Sequence, residues 1–407
     1  MNTREMESVD ESFEEANRLL ECGEPRAAFG SFSDILARQP DHGMAALGRA
    51  IALQDLGFRD DASAIFSQIN RDAPHASAAR YCHAIDRLRR ADLAAGFTAY
   101  EAREDYMGVI GSLDGLSVTR AGRRWRGEEG LSGRSILIHW EQGLGDTIQF
   151  ARYVPLVERA AGQLVFEVQA PLRRLMSSLD SSAILVCPGD EMPEVDFQCP
   201  LMSLPHVLGT TLETIPAQIP YLSAEPSFIE EWMQRLGSSN GRLRVGVAWH
   251  GNVKNKRDAR RSIPLQQFIK ALPLGPDYLA LQYEIRDGDQ LWLMARPDIR
   301  YVGHAIQDFS DTAAIISQLD LVITVDTSVA HLAGALGKPV WVLIDYVPDW
   351  RWMLDRVDSP WYPTLTLVRQ IALGDWSAPL AQVRQALEQH ALQNAGPSVF
   401  DELKHEA

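Results

Sequence analysis

The 407-residue chain is 46% hydrophobic and carries a formal net charge of −15, so it is long and apolar enough to bury more than one core. An acidic balance of that size offers no overall phosphate-neutralising surface. This excludes duplex nucleic acid as an expected partner and leaves room only for a local basic patch that could hold one diphosphate.

The N-terminal stretch MNTREMESVDESFEEANRLL is acidic and polar, without the basic start and apolar centre of a secretory leader. No segment reaches the roughly 18–20 consecutive apolar residues that cross a bilayer, so a cytoplasmic chain with no transmembrane segment is expected. Cys22, Cys82, Cys187 and Cys199 are scattered without C-x-x-C spacing. They read as ordinary small hydrophobes and not as zinc ligands or a disulfide framework.

Over the first hundred or so residues the chain repeats with a period of 34. Ala16 recurs as Ala50 and Ala84, Gly23 as Gly57 and Ala91, Ala28 as Ala62 and Gly96, Phe32 as Phe66 and Tyr100, and Pro40 as Pro74. Small residues where antiparallel helices touch, an aromatic knob and a closing proline form the tetratricopeptide pattern, which predicts an all-α arm over 1–105. An unrelated helical bundle is the alternative. Polar, Gly- and Arg-containing sequence then predicts a linker over 106–133.

From residue 134 strands and helices alternate. SILIHW, LVFEVQ and AILVCP read as strands, with helices in TIQFARYVPLVERAA and LRRLMSSL. The proline-broken stretch 195–225 reads as an irregular crossing segment. After the helix SFIEEWMQRLG come the strands LRVGVAWHG, YLALQY, RYVGH, DLVITVD and PVWVLI, with PLQQFIKAL, GDQLWLMAR, DTAAIISQL and SVAHLAGAL between them as helices. The fold class is therefore α/β, with two Rossmann-like domains over 134–225 and 226–390 and a tail over 391–407. In such sheets ligands bind beyond the carboxyl ends of the strands.

Three segments fall at those ends. In VDTSVAHLAGALGKP, residues Asp326, Thr327 and Ser328 stand where a buried strand gives way to a helix whose first N–H groups are unpaired, a natural seat for a phosphate. Thr327 and Ser328 could add hydroxyl hydrogen bonds and His331 another donor. The plainer alternative is that Thr327 or Ser328 caps the helix and His331 is a core histidine. In EQGLGD, Gln142, Gly143 and Gly145 form a turn that would let backbone approach a ligand. Asp146 there is either an N-cap or a general base.

In WHGNVKNKRDARRSIPL, the cations Lys254, Lys256, Arg257, Arg260 and Arg261 are either a solvated loop or the neutralising patch for a diphosphate. The DGD run at Asp287 to Asp289 is explained as a helix entry and not as a metal pair. Trp350, Trp352, Trp361, Tyr346 and Tyr362 either pack between domains or stack on a ligand, and Trp341 reads as core.

DTSVAHLAGALGKP, the GD turn and the basic loop WHGNVKNKRDARRSIPL together resemble the GT-B glycosyltransferases of family 9, the bacterial heptosyltransferases. With the repeats added, the chain is more similar to bacterial tetratricopeptide-containing glycosyltransferase-like proteins, and distantly to O-linked N-acetylglucosamine transferases. The resemblance implies an inverting, metal-independent transfer from a nucleotide-diphosphate sugar to a protein or glycan hydroxyl, with no resident cofactor and an acceptor held by the repeat arm. It implies Asp146 as general base and a donor site of Asn252, Lys254, Lys256, Arg261, Gln282, Tyr283, Glu284, Asp326, Thr327, Ser328 and His331, with Gln142, Gly143 and Gly145 on the acceptor side.

Ser328 stands where the heptosyltransferase pattern usually has glycine. His139 and His250 match no catalytic histidine of the O-linked enzymes. A scaffold that keeps the frame without catalysis and a nucleotide-sugar epimerase are the competing readings.

Overall fold

The computed structural model describes residues 3–69, 76–110, 122–253 and 258–394. The chain begins with helices α1 (Thr3–Glu21), α2 (Pro25–Arg38), α3 (Gly43–Asp55), α4 (Arg59–Gln68), α5 (Ala76–Arg89) and α6 (Leu93–Tyr100), which pair as successive hairpins. The 34-residue columns have physical roles. Ala16, Ala50 and Ala84 are fully buried on the first helix of each pair, and Phe32, Phe66 and Tyr100 are buried knobs on the second. The interhelical turns place Gly23 and Gly57 at φ +80° and +91°. Ala91 adopts the same left-handed backbone at φ 65° despite its Cβ.

Helix α7 (Arg103–Ile110) crosses the expected boundary at 105. The expected linker also contains a two-residue edge strand, β1 (Arg123–Arg124), paired in parallel with a later strand. The first α/β unit continues through β2 (Ser135–His139), α8 (Leu144–Phe150), α9 (Val154–Glu158), β3 (Gln163–Glu167), α10 (Arg173–Met176), β4 (Ile184–Val186), β5 (Phe197–Pro200) and α11 (Leu204–Val207). Its five strands run in the order β1-β5-β2-β3-β4, every pair parallel.

Strand β5 overturns the irregular reading of 195–225, since it lies inside this sheet between β1 and β2. Pro200 is tolerated because it is the last residue of the strand, opposite His139.

Helix α12 (Pro226–Leu236) leads into β6 (Arg244–Ala248), α13 (Asp258–Arg261), α14 (Leu265–Phe268), β7 (Asp277–Ala280), α15 (Asp289–Met294), β8 (Ile299–Tyr301), α16 (Phe309–Ser317), β9 (Leu321–Val325), α17 (Ser328–Ala335), β10 (Val340–Ile344), β11 (Leu365–Arg369) and α18 (Ser377–Asn394). The six parallel strands run β11-β10-β9-β6-β7-β8. Central strands β6 and β9 are buried along their whole length, which is why they read as unbroken apolar runs. Strand β11 and helix α18 were absent from the expected elements, and α18 runs past the boundary drawn at 390.

One hydrophobic cluster joins the three parts. Leu88, Phe97 and Tyr100 of the helical arm, Ile138 and Phe150 of the first unit, and Leu332, Trp350 and Trp361 of the second all belong to it. Among the described residues no helix is long and apolar enough to cross a membrane. None of the four cysteines is in a disulfide; Cys187 and Cys199 are buried, as small hydrophobes would be, whereas Cys22 is exposed.

Candidate functional site

Helices α8 and α17, which follow the carboxyl ends of β2 and β9, pack against each other. Closest approach is at Gly145, where a Cβ would lie 2.9 Å from the His331 ring and 3.4 Å from Ser328 Cα. Gly145 is therefore needed for helix contact. The left-handed residue of the turn is Gln142, at φ 63°. Gly143 has ordinary extended backbone, at φ −87° and ψ 170°, and its N–H donates to Asp146 Oδ2 at 2.7 Å. The Gln142 side chain donates to Tyr100 Oη of the helical arm at 3.0 Å.

Asp146 thus takes the capping contact. It also reaches across the seam, its Oδ1 accepting from Arg351 Nη2 in the loop after β10. The carboxyl is about a fifth exposed, at 19%. Its pKa is raised above the ordinary carboxylate value, chiefly by burial, with the Arg351 charge pulling the other way.

Thr327 occupies the N-cap position of α17, but its side chain makes no cap hydrogen bond. Its Oγ1 lies 3.2 Å from Thr324 Oγ1. The side-chain cap of the plainer alternative is therefore not made, although its buried histidine is, and the amides of Ser328 and Val329 donate to no acceptor among the described residues. Asp326, Thr327 and Ser328 are each partly exposed there.

His331 is buried, stacked on Trp352 at 5.2 Å between centroids, with Nδ1 3.1 Å from Tyr362 Oη. Burial, reinforced by the Arg351 charge, pushes its pKa down to about 3, so the ring is neutral at physiological pH. Burial pushes the Asp326 carboxyl up to about 6, and the neighbouring Asp349 adds to the shift.

The remaining expected residues divide. Arg261 is one-fifth exposed and pairs loosely with Asp258, and its charge opposes the upward shift of the Asp326 carboxyl. Lys254, Lys256 and Arg257 lie outside the described residues. Arg260 is not a phosphate ligand in this arrangement, since it donates to Asp55 Oδ2 at 2.5 Å and to the Leu20 carbonyl at 2.6 Å, both in the helical arm.

Asn252, Tyr283 and Glu284 are exposed beyond the ends of β6 and β7. Gln282 is engaged internally: its Oε1 accepts from the Trp249 and His250 amides, and its Nε2 donates to the His250 carbonyl. That lattice clamps the loop after β6, so Gln282 is a structural residue and not a free nucleotide contact. Asp289 likewise departs from the capping account by accepting the Trp249 indole N–H at 2.8 Å. His139 and His250 are both buried.

The segment 345–362 holds what the sequence reading missed. Trp350, Trp352, Trp361 and Tyr362 are buried, which favours packing over ligand stacking. Trp341 is only partly buried, on the margin of a core cluster. Asp349 and Arg351 do not stand out in the sequence, because they alternate with the aromatic residues Trp350 and Trp352. A carboxylate and a cation two positions apart, just past a buried strand's carboxyl end, were the available signal.

Arg152 was also missed. It is buried, donating to the Trp361 carbonyl at 2.6 Å and to Tyr221 Oη at 3.1 Å, and so stitches the two α/β units together behind His331. Arg103 and Glu141 form a third buried contact, a bidentate pair at 2.6 and 2.9 Å that joins the arm to the turn before α8.

Residues 307–353 match the family model of Glycosyltransferase family 9 (heptosyltransferase). That segment contains Asp326, Thr327, Ser328, His331, Asp349 and Arg351. Protein FlbA of Caulobacter vibrioides is 25% identical over 405 residues, covering 92% of this chain and 66% of that protein; the chain thus spans just under two thirds of that relative's length.

Among solved structures, a glycosyl transferase family 9 protein from Veillonella parvula aligns over 65% of this chain and 99% of its own, with 12% identity and a TM-score of 0.46. The E. coli ADP-heptose LPS heptosyltransferase II aligns over 64% and 99%, with 13% identity and a TM-score of 0.42. A Thermobaculum terrenum O-GlcNAc transferase mutant aligns over 100% and 98%, with 12% identity and a TM-score of 0.31.

Proposed function

We propose that the chain is an inverting, metal-independent glycosyltransferase that moves a sugar from a nucleotide-diphosphate donor to a hydroxyl of a protein or glycan acceptor. The observation that carries this reading is that α8, which holds Asp146, packs at Gly145 against the uncapped amide end of α17, and that α17 lies in the segment matching glycosyltransferase family 9. In this scheme the donor diphosphate docks on the Ser328 and Val329 amides with the Thr327 and Ser328 hydroxyls, and Arg261 adds positive charge.

Asp146 accepts the acceptor proton as the acceptor oxygen attacks the anomeric carbon. The bond to the diphosphate oxygen breaks on the opposite face, and the leaving charge meets fixed dipoles that need no reorganisation. No resident cofactor enters this chemistry. The N-terminal helices would act as a tetratricopeptide-like arm presenting the acceptor, and the cytoplasm would be the compartment.

A second reading, a partner-binding scaffold without turnover, is favoured by one observation. Asp326 and Asp349 place two carboxylates beside the amide end, and they would repel a diphosphate unless offset by cations. Incubation with UDP-, GDP- and ADP-sugars separates the two. The transferase reading expects thermal stabilisation and slow donor hydrolysis with one class, with turnover abolished and binding kept in Asp146→Asn. The scaffold reading expects no turnover with any donor.

A further inference from the structure

The scheme above gives no task to Arg351, a side chain only 7% exposed at the seam between the units. Each part of its guanidinium reaches a different partner. Nε donates to Gln149 Oε1 at 2.7 Å, Nη1 to Asp349 Oδ1 at 2.8 Å, and Nη2 to Asp146 Oδ1. Its Cζ lies over the rings of Trp350, at 4.3 Å, and Phe150, at 5.7 Å. Gln149 and Asp146 belong to α8, whereas Arg351 and Asp349 belong to the loop after β10. We propose that Arg351 is a positioning residue: it fixes the Asp146 carboxylate across the seam, oriented for the acceptor hydroxyl at the amide end of α17. This rests on the reading of Asp146 as the base.

The geometry leaves the carboxylate able to work. An ionised carboxylate offers about four lone-pair positions, and the contacts described occupy one on each oxygen, from Gly143 N and from Arg351. The oxygens thus keep room for an incoming hydroxyl while the plane of the group is set by donors from two elements.

Charge balance points the same way. Asp146 faces Asp349 from the loop after β10, Glu141 from the turn before α8, and the neutral His331 ring from α17. Glu141 is itself matched by Arg103. Arg351 is therefore the cation in direct contact with a carboxyl whose pKa burial raises, and its charge opposes that rise. A lysine could not make the same three contacts, because it carries one point charge and no planar fork.

The loop that carries Arg351 is held by further contacts. Asp349 Oδ1 also accepts the Arg351 backbone N–H at 3.0 Å, and Arg89 of the helical arm donates to the Pro348 carbonyl at 2.9 Å. Phe97 and Tyr100 close on the Trp350 ring at 5.5 and 6.0 Å.

The test uses full-length protein with ¹³C-labelled aspartate carboxyls, the Asp146 signal being assigned by its loss in Asp146→Asn. In Arg351→Met the Asp146 titration midpoint is expected to rise by about one to three pH units, with a smaller rise in Arg351→Lys. The acid limb of kcat/KM should move with it, and donor KM should change less than kcat.

An unmoved midpoint in folded Arg351→Met overturns the proposal, and if that variant does not fold, an unmoved midpoint in Arg351→Lys does so. The base reading fails separately, and is recognised by a different result: Asp146→Asn that still turns over, whatever the midpoints do.

Discussion

At the scale of single residues, the seam between α8 and α17 is set by Gly145 and by two groups whose protonation burial decides. A Cβ at residue 145 would press at 2.9 Å on a His331 ring that is itself held against Trp352, so the ring cannot simply swing aside. Gly145→Ala is expected to destabilise the protein by about 1–3 kcal/mol, read as a lower urea midpoint at unchanged m value.

Asp326 yields a pH-dependent prediction. Its folded pKa of about 6 lies above the unfolded value of about 3.9. The stability that its proton contributes is fully present below about pH 4 and is lost as the pH rises through about 6. The difference in melting temperature between wild type and Asp326→Asn should therefore shift in favour of the variant across that window. A difference that stays flat from pH 4 to pH 7 would count against the burial of this carboxyl.

At the scale of elements, the alternating strands and helices were legible because buried parallel strands are continuous apolar runs, as in LVITV of β9 and VWVLI of β10. Strand β5 was illegible for a related reason: FQCP ends in proline and is flanked by more prolines, and sequence does not reveal that the proline falls at a strand's final position. The amide end of α17 was legible from the small polar residues after an apolar strand. Arg351 was not, since its partner Asp146 lies 205 residues away and only the assembled seam joins them.

The loop before α8 depends in turn on Arg103 and Glu141, both fully buried. Arg103→Met would leave Glu141 as an uncompensated buried charge and is expected to cost about 3–5 kcal/mol. Arg103→Met combined with Glu141→Leu should recover much of that loss in chemical denaturation. A double variant as unstable as the single one would place the loss in the other partner of Arg103, Glu101, whose Oε1 accepts from Nη1 at 2.8 Å.

At the scale of the molecule, the N-terminal helices are more than an appendage. They touch both loops of the candidate site: Tyr100 and Arg103 hold the turn before α8, while Arg89 and Arg260 tie the arm to the second α/β unit. The period of 34 predicted helix pairs, but it could not predict that the arm's last pair is also a wall of the site. Arg260→Ala should loosen the arm, seen as faster amide hydrogen exchange in α1 and α3 with α16 and α17 unchanged.

The central claim is that an anionic leaving group meets the free amide at the start of α17. Proline suits the first position of a helix, and Thr327, at φ −142° and ψ 173°, has the extended backbone that proline requires before it. Ser328→Pro should therefore fold while deleting one N–H donor and one hydroxyl, and Ser328→Ala deletes the hydroxyl alone. Titration calorimetry with ADP, GDP and UDP measures both. The account predicts that Ser328→Pro weakens the best-bound diphosphate by about 10- to 100-fold, as expected for a hydrogen bond to a charged group, with a smaller loss for Ser328→Ala. Equal diphosphate binding by wild type and folded Ser328→Pro would contradict it.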